Sequence, residues 1–197
     1  MLRYDWRMST GARRGHGATF ADIANRPAKE RLEIIGGEIV QKASPTWGHG
    51  DAQGTVIQVF KGPYQWGRGG PGGWWIAPEV DIEFEAHEMY RPDVAGWRKD
   101  RVPEMPSGRP VRIRPDWIAE VLSDSNAEND LGRKLFGYHR AGVPHYWIID
   151  PEHRTLTVYR YASEGYFVLL TAGRGQIVRA EPFDAIDLEI DLLFGGS

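Results

Sequence analysis

The chain has 197 residues, a formal net charge of −3, a pI near 6.1 and no cysteine. Such a length is enough for one domain with a full core, the missing thiols exclude disulfides and thiolate metal sites, and the acidic balance excludes a histone-like basic field, so any nucleic-acid contact has to be local. Of the 24 basic residues 19 are Arg and five are Lys, which makes each Lys position informative.

No apolar run approaches membrane-spanning length, and the opening MLRYDWRMSTGARRGHG lacks the hydrophobic segment of a signal peptide. The expected setting is the cytoplasm, with no membrane partner. Residues 1–17 read as a flexible basic leader in which Met8 is an alternative start, and residues 18–197 as a single domain. Thr19 is the expected N-cap of a short helix from Phe20 to about Asn25, stopped by Pro27. RLEIIGGEIVQK, Arg31 to Lys42, divides at Gly36-Gly37 into a hairpin. Ser44 precedes a helix expected from Trp47 to Lys61, with Val56, Val59 and Phe60 apolar and His49 and Gln53 one turn apart. GPYQWGRGGPGG reads as a loop. It is no phosphate cradle, because no Gly-Lys-Ser/Thr follows and Trp74-Trp75 opens a strand. Strands are expected from Trp75 to Phe84 and from Tyr90 to Trp97, the second containing Arg91-Pro92-Asp93-Val94, and a charged, proline-spaced loop runs from Arg98 to Arg114.

The chain is organised around Pro115 to Asp150. Trp117 to Leu122 alternates as a strand, with Ile118, Glu120 and Leu122 on one face and Trp117, Ala119 and Val121 on the other. Ser125 and Glu128 have the form of a capping box and Gly142 with Pro144 that of a stop, bounding a helix from about Asn126 to Ala141. Its apolar stripe reads Leu131, Leu135, Tyr138, Ala141, and Lys134 falls inside it, where an ammonium has to snorkel outward or meet a carboxylate. HYWIID then has the continuous apolar character of a strand buried on both faces, so the unit reads as strand, helix, parallel strand. An antiparallel hairpin turning at Ser163-Glu164-Gly165 follows, and Gln176 to Phe194 supplies two more short strands or a strand and a turn.

Asp93 and Glu120 on neighbouring strands are suited to a hard divalent cation, and a lysine beside them to orienting or deprotonating a bound water. Each also has a plainer reading: Asp93 as a turn residue after proline, Glu120 at an exposed edge, Lys134 solvated or paired with Asp130 one turn before it. Asp116 also follows a proline but lies four residues from Glu120 on one strand, about 13 Å away, too far for one ion with ligands at about 2.1 Å. It reads as a residue at the start of the strand. The tryptophans raise the rival of a sugar site with paired carboxylates, but Trp74, Trp75, Trp97, Trp117 and Trp147 lie in strand patterns and read as packing. His139 and His145 are assigned no chemistry.

Pro92-Asp93, Glu120-Val121-Leu122-Ser123, Asp130 with Lys134, and Tyr138 with AGVPHYW up to Asp150-Pro151 together resemble the Uma family of proteins assigned as restriction endonucleases, in the PD-(D/E)XK nuclease-like superfamily. Leu32-Glu33, Gly37-Glu38 with Val40, and Ser44-Pro45 with His49 are similar to the family's amino-terminal signature, so the resemblance spans about Thr19 to Tyr161. It implies an α/β fold, an α+β mixed sheet flanked by helices with a restriction-endonuclease-like PD-(D/E)XK core and added antiparallel strands. It further implies Asp93, Glu120 and the Val121 backbone carbonyl as ligands of Mg2+, with Mn2+ as a substitute. The superfamily's usual lysine position, two residues after the glutamate, is Leu122 here; the resemblance places the lysine on the following helix, where Lys134 matches. Glu38 and His49 match family positions near the site, and His49 reads equally as a capping or packing residue.

The resulting expectation is a Mg2+-dependent DNA endonuclease hydrolysing phosphodiester bonds, with Asp93 and Glu120 on the metal and Lys134 on the water. The alternative is a catalytically silent nuclease-fold module that binds nucleic acid or a protein partner. Arg13, Arg14, Arg68, Arg91, Arg98, Arg101, Arg112 and Arg114 are the candidate phosphate contacts, and cutting both strands points to a homodimer.

Overall fold

The structure is a computed structural model that describes residues 17–123 and 129–196. Helix α1 (Phe20–Ile23) starts at Thr19, whose amide donates to the Asp22 carboxylate at 2.7 Å. Strands β1 (Leu32–Ile35) and β2 (Glu38–Gln41) form the expected hairpin, with Gly36 and Gly37 at φ 61° and 77°, the left-handed pair that a two-residue turn requires. Helix α2 (Trp47–Phe60) starts where expected and is capped by Thr46 through a 3.3 Å bond from the His49 amide. It runs on into a wider helical turn, Lys61–Gln65, where a loop was expected. Packing explains the extra turn: Tyr64 is buried with its ring 4.6 Å from that of Phe183.

Two expected strands are each divided. β3 (Trp74–Pro78) and β4 (Ile82–Glu85) belong to different sheets, and the chain breaks between them at Glu79, which adopts a left-handed φ of 54°. β5 (Glu88–Tyr90) and β6 (Val94–Arg98) are separated at Arg91-Pro92-Asp93. Hydrophobic alternation runs through both breaks, which hides the change of sheet from the sequence.

β7 (Trp117–Val121) and β8 (His145–Asp150) are parallel, joined by a wide turn (Asn129–Arg133) and helix α3 (Lys134–Arg140). The expected capping box at Ser125 and Glu128 lies outside the described residues. The wide turn shifts the helical phase, so Leu131 is exposed and the buried face is Asp130, Lys134, Gly137 and Tyr138. β9 (Thr155–Ala162) and β10 (Gly165–Gly173) form the next hairpin; β11 (Ile177–Val178), β12 (Leu188–Glu189) and a short turn (Ile190–Phe194) close the tail.

The larger sheet runs β10-β9-β8-β7-β6-β3 and the smaller β2-β1-β5-β4. Apolar clusters cover both faces of the larger one. Trp117, Ala119 and Val121 pack with α2 and Phe183 on one side; Ile118, Tyr138, Tyr146 and Ile148 pack on the other, as the alternation in β7 implies. Trp74, Trp97, Trp117 and Trp147 are core residues. Among the described residues no helix is long and apolar enough to cross a membrane.

Gly137 lets α3 approach the smaller sheet, since a Cβ there would lie 2.1 Å from Tyr90 Oη. Exposed helical glycines usually gain stability on replacement by alanine, so the sign separates the two cases. Gly137→Ala is expected to lose about 1–3 kcal/mol in urea unfolding through overpacking, whereas Gly132→Ala, with open space around its Cβ, is expected to be near neutral. Equal behaviour of the two variants would remove the close approach as the reason for Gly137.

A buried charge cluster as candidate active site

The β6–β7 register pairs Val94 with Ala119, so the residue before β6, Asp93, stands beside Glu120. The two are joined directly: the Asp93 amide donates to Glu120 Oε2 at 3.1 Å, and the Val121 amide donates to Asp93 Oδ2 at 2.7 Å. Asp93, Glu120 and Val121 are therefore brought together. Lys134 joins them from α3, with Nζ 2.8 Å from Glu120 Oε1, 2.9 Å from Asp130 Oδ1 and 3.1 Å from Glu33 Oε1. The ammonium inside the apolar stripe thus meets three carboxylates. Tyr138 adds a 2.7 Å bond to Glu120 Oε1.

A second lysine, which the sequence reading passed over, completes the cluster. Lys42, just past β2, donates to Asp93 Oδ1 at 2.6 Å and to the Arg91 carbonyl at 2.9 Å, and stands 3.9 Å from Glu120 Oε2. His49 Nε2 lies 3.1 Å from Asp93 Oδ1, while its amide caps α2, so it has both a site contact and the capping role. Gln53, one turn on, donates to the Asp93 carbonyl at 2.8 Å. Glu33 also accepts from the Arg91 amide at 2.8 Å. Lys42 and Glu33 did leave a trace in the sequence: Lys42 shares the inward face of its segment with Val40, and Glu33 interrupts Leu-x-Ile-Ile. Glu38 does not join; its carboxylate is 70% exposed and paired with Arg133 at 2.8 Å.

Glu33, Asp93, Glu120 and Asp130 are buried carboxylates, and Lys42 and Lys134 are buried ammonium groups. With every carboxyl ionised and His49 left out of the count, four negative charges would face two positive ones. Burial pushes Glu120 up to about 8 in spite of Lys134, and burial raises Asp130 as well. Burial also opposes ionisation of Asp93, but Lys42 and His49 outweigh it and hold that carboxyl below the usual range. Lys134 is desolvated too, yet Asp130, Glu120 and Glu33 keep it charged well past the ordinary lysine range.

Among the described residues no group of three or more His, Asp and Glu side chains forms a ready-made metal cage. The donor chemistry nevertheless fits a hard divalent cation: Asp93 and Glu120 offer adjacent carboxylate oxygens, and the acids outnumber the ammonium groups around them, an excess that such an ion would offset once they ionise. Asp116 stays outside, held by Arg101 at 2.8 Å. The expected arginine patch is largely neutralised within the chain, since Arg91 pairs with Asp81, Arg98 with Asp100 and Arg112 with Glu83, while Arg13 and Arg14 lie outside the described residues.

A mixed sheet that carries a buried Asp-Glu pair on neighbouring strands and a lysine on the crossover helix defines a restriction-endonuclease-like fold. Residues 18–192 match the family Uma2, described as "Putative restriction endonuclease", and the chain belongs to that family. The crystal structure of a protein titled a putative nuclease belonging to DUF820, from Anabaena variabilis ATCC 29413, superposes with a TM-score of 0.71 at 23% identity, over 90% of this chain and 97% of that one. No curated protein matches the chain.

Two outcomes follow from the charge balance. Lys134→Met would strand three buried carboxylates and is expected to cost about 3–5 kcal/mol in urea unfolding, with Asp130→Asn, which relieves negative charge, costing clearly less; the reverse order would contradict the count. The raised Glu120 fixes the sign of a pH effect: from its usual 4.5 to about 8 the folded chain keeps a proton that the unfolded chain releases, so stability falls as pH rises through that window. In chelator the melting temperature is expected to decline from pH 5 to pH 8, and Glu120→Gln to flatten the decline. A wild-type curve that rises over this range would refute the assignment.

Proposed function

We propose that the protein is a DNA endonuclease that hydrolyses phosphodiester bonds with Mg2+, or Mn2+ in its place. The observation that carries this reading is the buried cluster's four acids against two ammonium groups at an Asp-Glu pair, in a fold of nuclease type. Asp93 and Glu120 would hold the ion, with the Val121 carbonyl as a further oxygen donor. When bound, a divalent cation supplies charge stabilisation to the phosphoryl oxygens and lowers the pKa of a water. This chain's residues supply the rest. Lys134, which donates to Glu120 and Asp130 and pairs with Glu33, fixes Glu120 in place together with Tyr138. His49 and Gln53 fix Asp93 from α2. Trp47, two residues before His49 on α2 and 89% exposed, would give a nucleobase a surface to stack on.

One observation favours a second reading, a nuclease-fold module that binds nucleic acid or a protein without cutting. Every carboxylate oxygen of Asp93 and Glu120 is engaged by a side chain or an amide.

Both readings are tested by titrating Mg2+ or Mn2+ into wild type, Asp93→Asn and Glu120→Gln while following thermal unfolding, with plasmid cleavage assayed in the same tubes. Wild type is expected to gain about 2.7 kcal/mol of stability at an ion concentration of roughly 100 Kd and to nick or linearise plasmid, and both variants to lose the cleavage. Binding without cleavage would leave the non-cutting module. Cleavage that persists in both variants would move the site elsewhere.

A further inference from the structure

We infer that Lys42 is the ion's internal stand-in: its ammonium occupies the notch between Asp93 and Glu120, and an arriving divalent cation displaces it toward Glu79. This rests on the proposed metal site and adds to it a residue and a motion.

Each carboxylate of the pair has one oxygen turned away from the notch and one turned into it. Asp93 Oδ2 takes the Val121 amide, and Glu120 Oε1 takes Lys134 and Tyr138. The remaining oxygens, Asp93 Oδ1, which also meets His49 Nε2 at 3.1 Å, and Glu120 Oε2, which also takes the Asp93 amide at 3.1 Å, face Lys42 Nζ at 2.6 and 3.9 Å. Asp93 and Glu120 are the residues that would hold an ion, and an ammonium and a divalent ion repel each other strongly at such range in a desolvated site. The two lysines therefore differ in kind. Lys134 sits on Glu120 Oε1 and is paired with Asp130 and Glu33 as well, whereas Lys42 sits at Asp93 Oδ1 and Glu120 Oε2.

Lys42 also has somewhere to go. Glu79 Oε1, which also accepts from Gln53 at 3.3 Å, is 3.8 Å from Nζ, and at 28% exposure Glu79 is open to water. It stands on a left-handed backbone at φ 54° between β3 and β4, fastened by Arg31 at 2.7 Å and by its own amide to the Asp93 carbonyl at 3.3 Å. A non-glycine residue held in that conformation next to a site is the kind of local strain that function retains. A shift toward Glu79 keeps the ammonium paired with a carboxylate, so the move leaves no buried charge alone.

The test is a double-mutant cycle on Mn2+ affinity, measured by calorimetry on wild type, Lys42→Met, Glu79→Gln and the double variant. Removing the competitor is expected to tighten Mn2+ binding by about tenfold or more, an effect that a merely structural lysine would not have. Lys42→Met is also expected to melt at a lower temperature than wild type in chelator and to recover with Mn2+. Glu79→Gln is expected to weaken binding several-fold when Lys42 is present and to change nothing when it is methionine. Equal or weaker binding by Lys42→Met overturns the inference, as does a Glu79→Gln effect of the same size in both backgrounds, which would make Glu79 a ligand. If Lys42→Met does not fold, Lys42→Gln, which keeps a donor for Asp93 and the Arg91 carbonyl, takes its place under the same criteria. Plasmid cleavage by wild type with unchanged Lys42→Met affinity would sink the stand-in and keep the nuclease; tighter binding by Lys42→Met without cleavage by wild type would do the opposite. No Mn2+ binding by any of the four proteins would refute both.

Discussion

A carboxylate with no exposure to water must have a cation, and the 2.8 Å contact of Glu120 with Lys134 is the one on which the rest of this molecule depends. It ties the central strand β7 to the helix that carries the chain across to β8. Through Asp130 it fixes the start of that helix, and through Glu33 it reaches the smaller sheet. Glu120 then takes the amide of Asp93, and Asp93 takes Lys42 and His49, which bring in the end of the first hairpin and the long helix α2. Segments distant in sequence thus converge through charge on a point between two apolar clusters. Each alone would be costly to bury; their mutual pairing makes the position of each depend on the others.

The fold's centre was legible because its anomalies were local. An acidic residue inside an apolar strand and a lysine inside a helical stripe each break a short-range pattern, and once β6 and β7 are neighbours, their register sets Asp93 against Glu120. What was hidden depends on distant contacts. Lys42 meets Asp93 across 51 positions; the alternation with Val40 shows only that Lys42 faces inward, not what it meets. The breaks at Glu79 and at Arg91-Pro92-Asp93 were hidden for another reason: alternation continues across them, so one periodic run served two sheets. Leu131 was misplaced because a wide turn changes the helical phase, a feature that a 3.6-residue period cannot show. Glu38 matched a motif and yet faces solvent, which shows that a motif fixes a chain position and not a side chain's surroundings.

The burial of this cluster also bears on how a site of this sort can be retained. With Glu33, Asp93, Glu120 and Asp130 against Lys42 and Lys134, the interior carries more acids than packing alone would select, and burial, with the neighbouring acids adding to it, makes Glu120 favour its protonated form. A fold optimised only for stability would replace the group with apolar side chains of the same volume, as often succeeds for buried ion pairs. Keeping four acids and two lysines is therefore a cost that the two surrounding aromatic cores offset, with Trp117, Trp147 and Phe183 on one side and Tyr90, Tyr138 and Tyr146 on the other. Those rings hold the strands from both faces, so the backbone that carries Asp93 and Glu120 is kept from spreading to separate their charges. They can be satisfied by a proton or by a cation, and that choice is what makes the cluster a site rather than a structural ion pair.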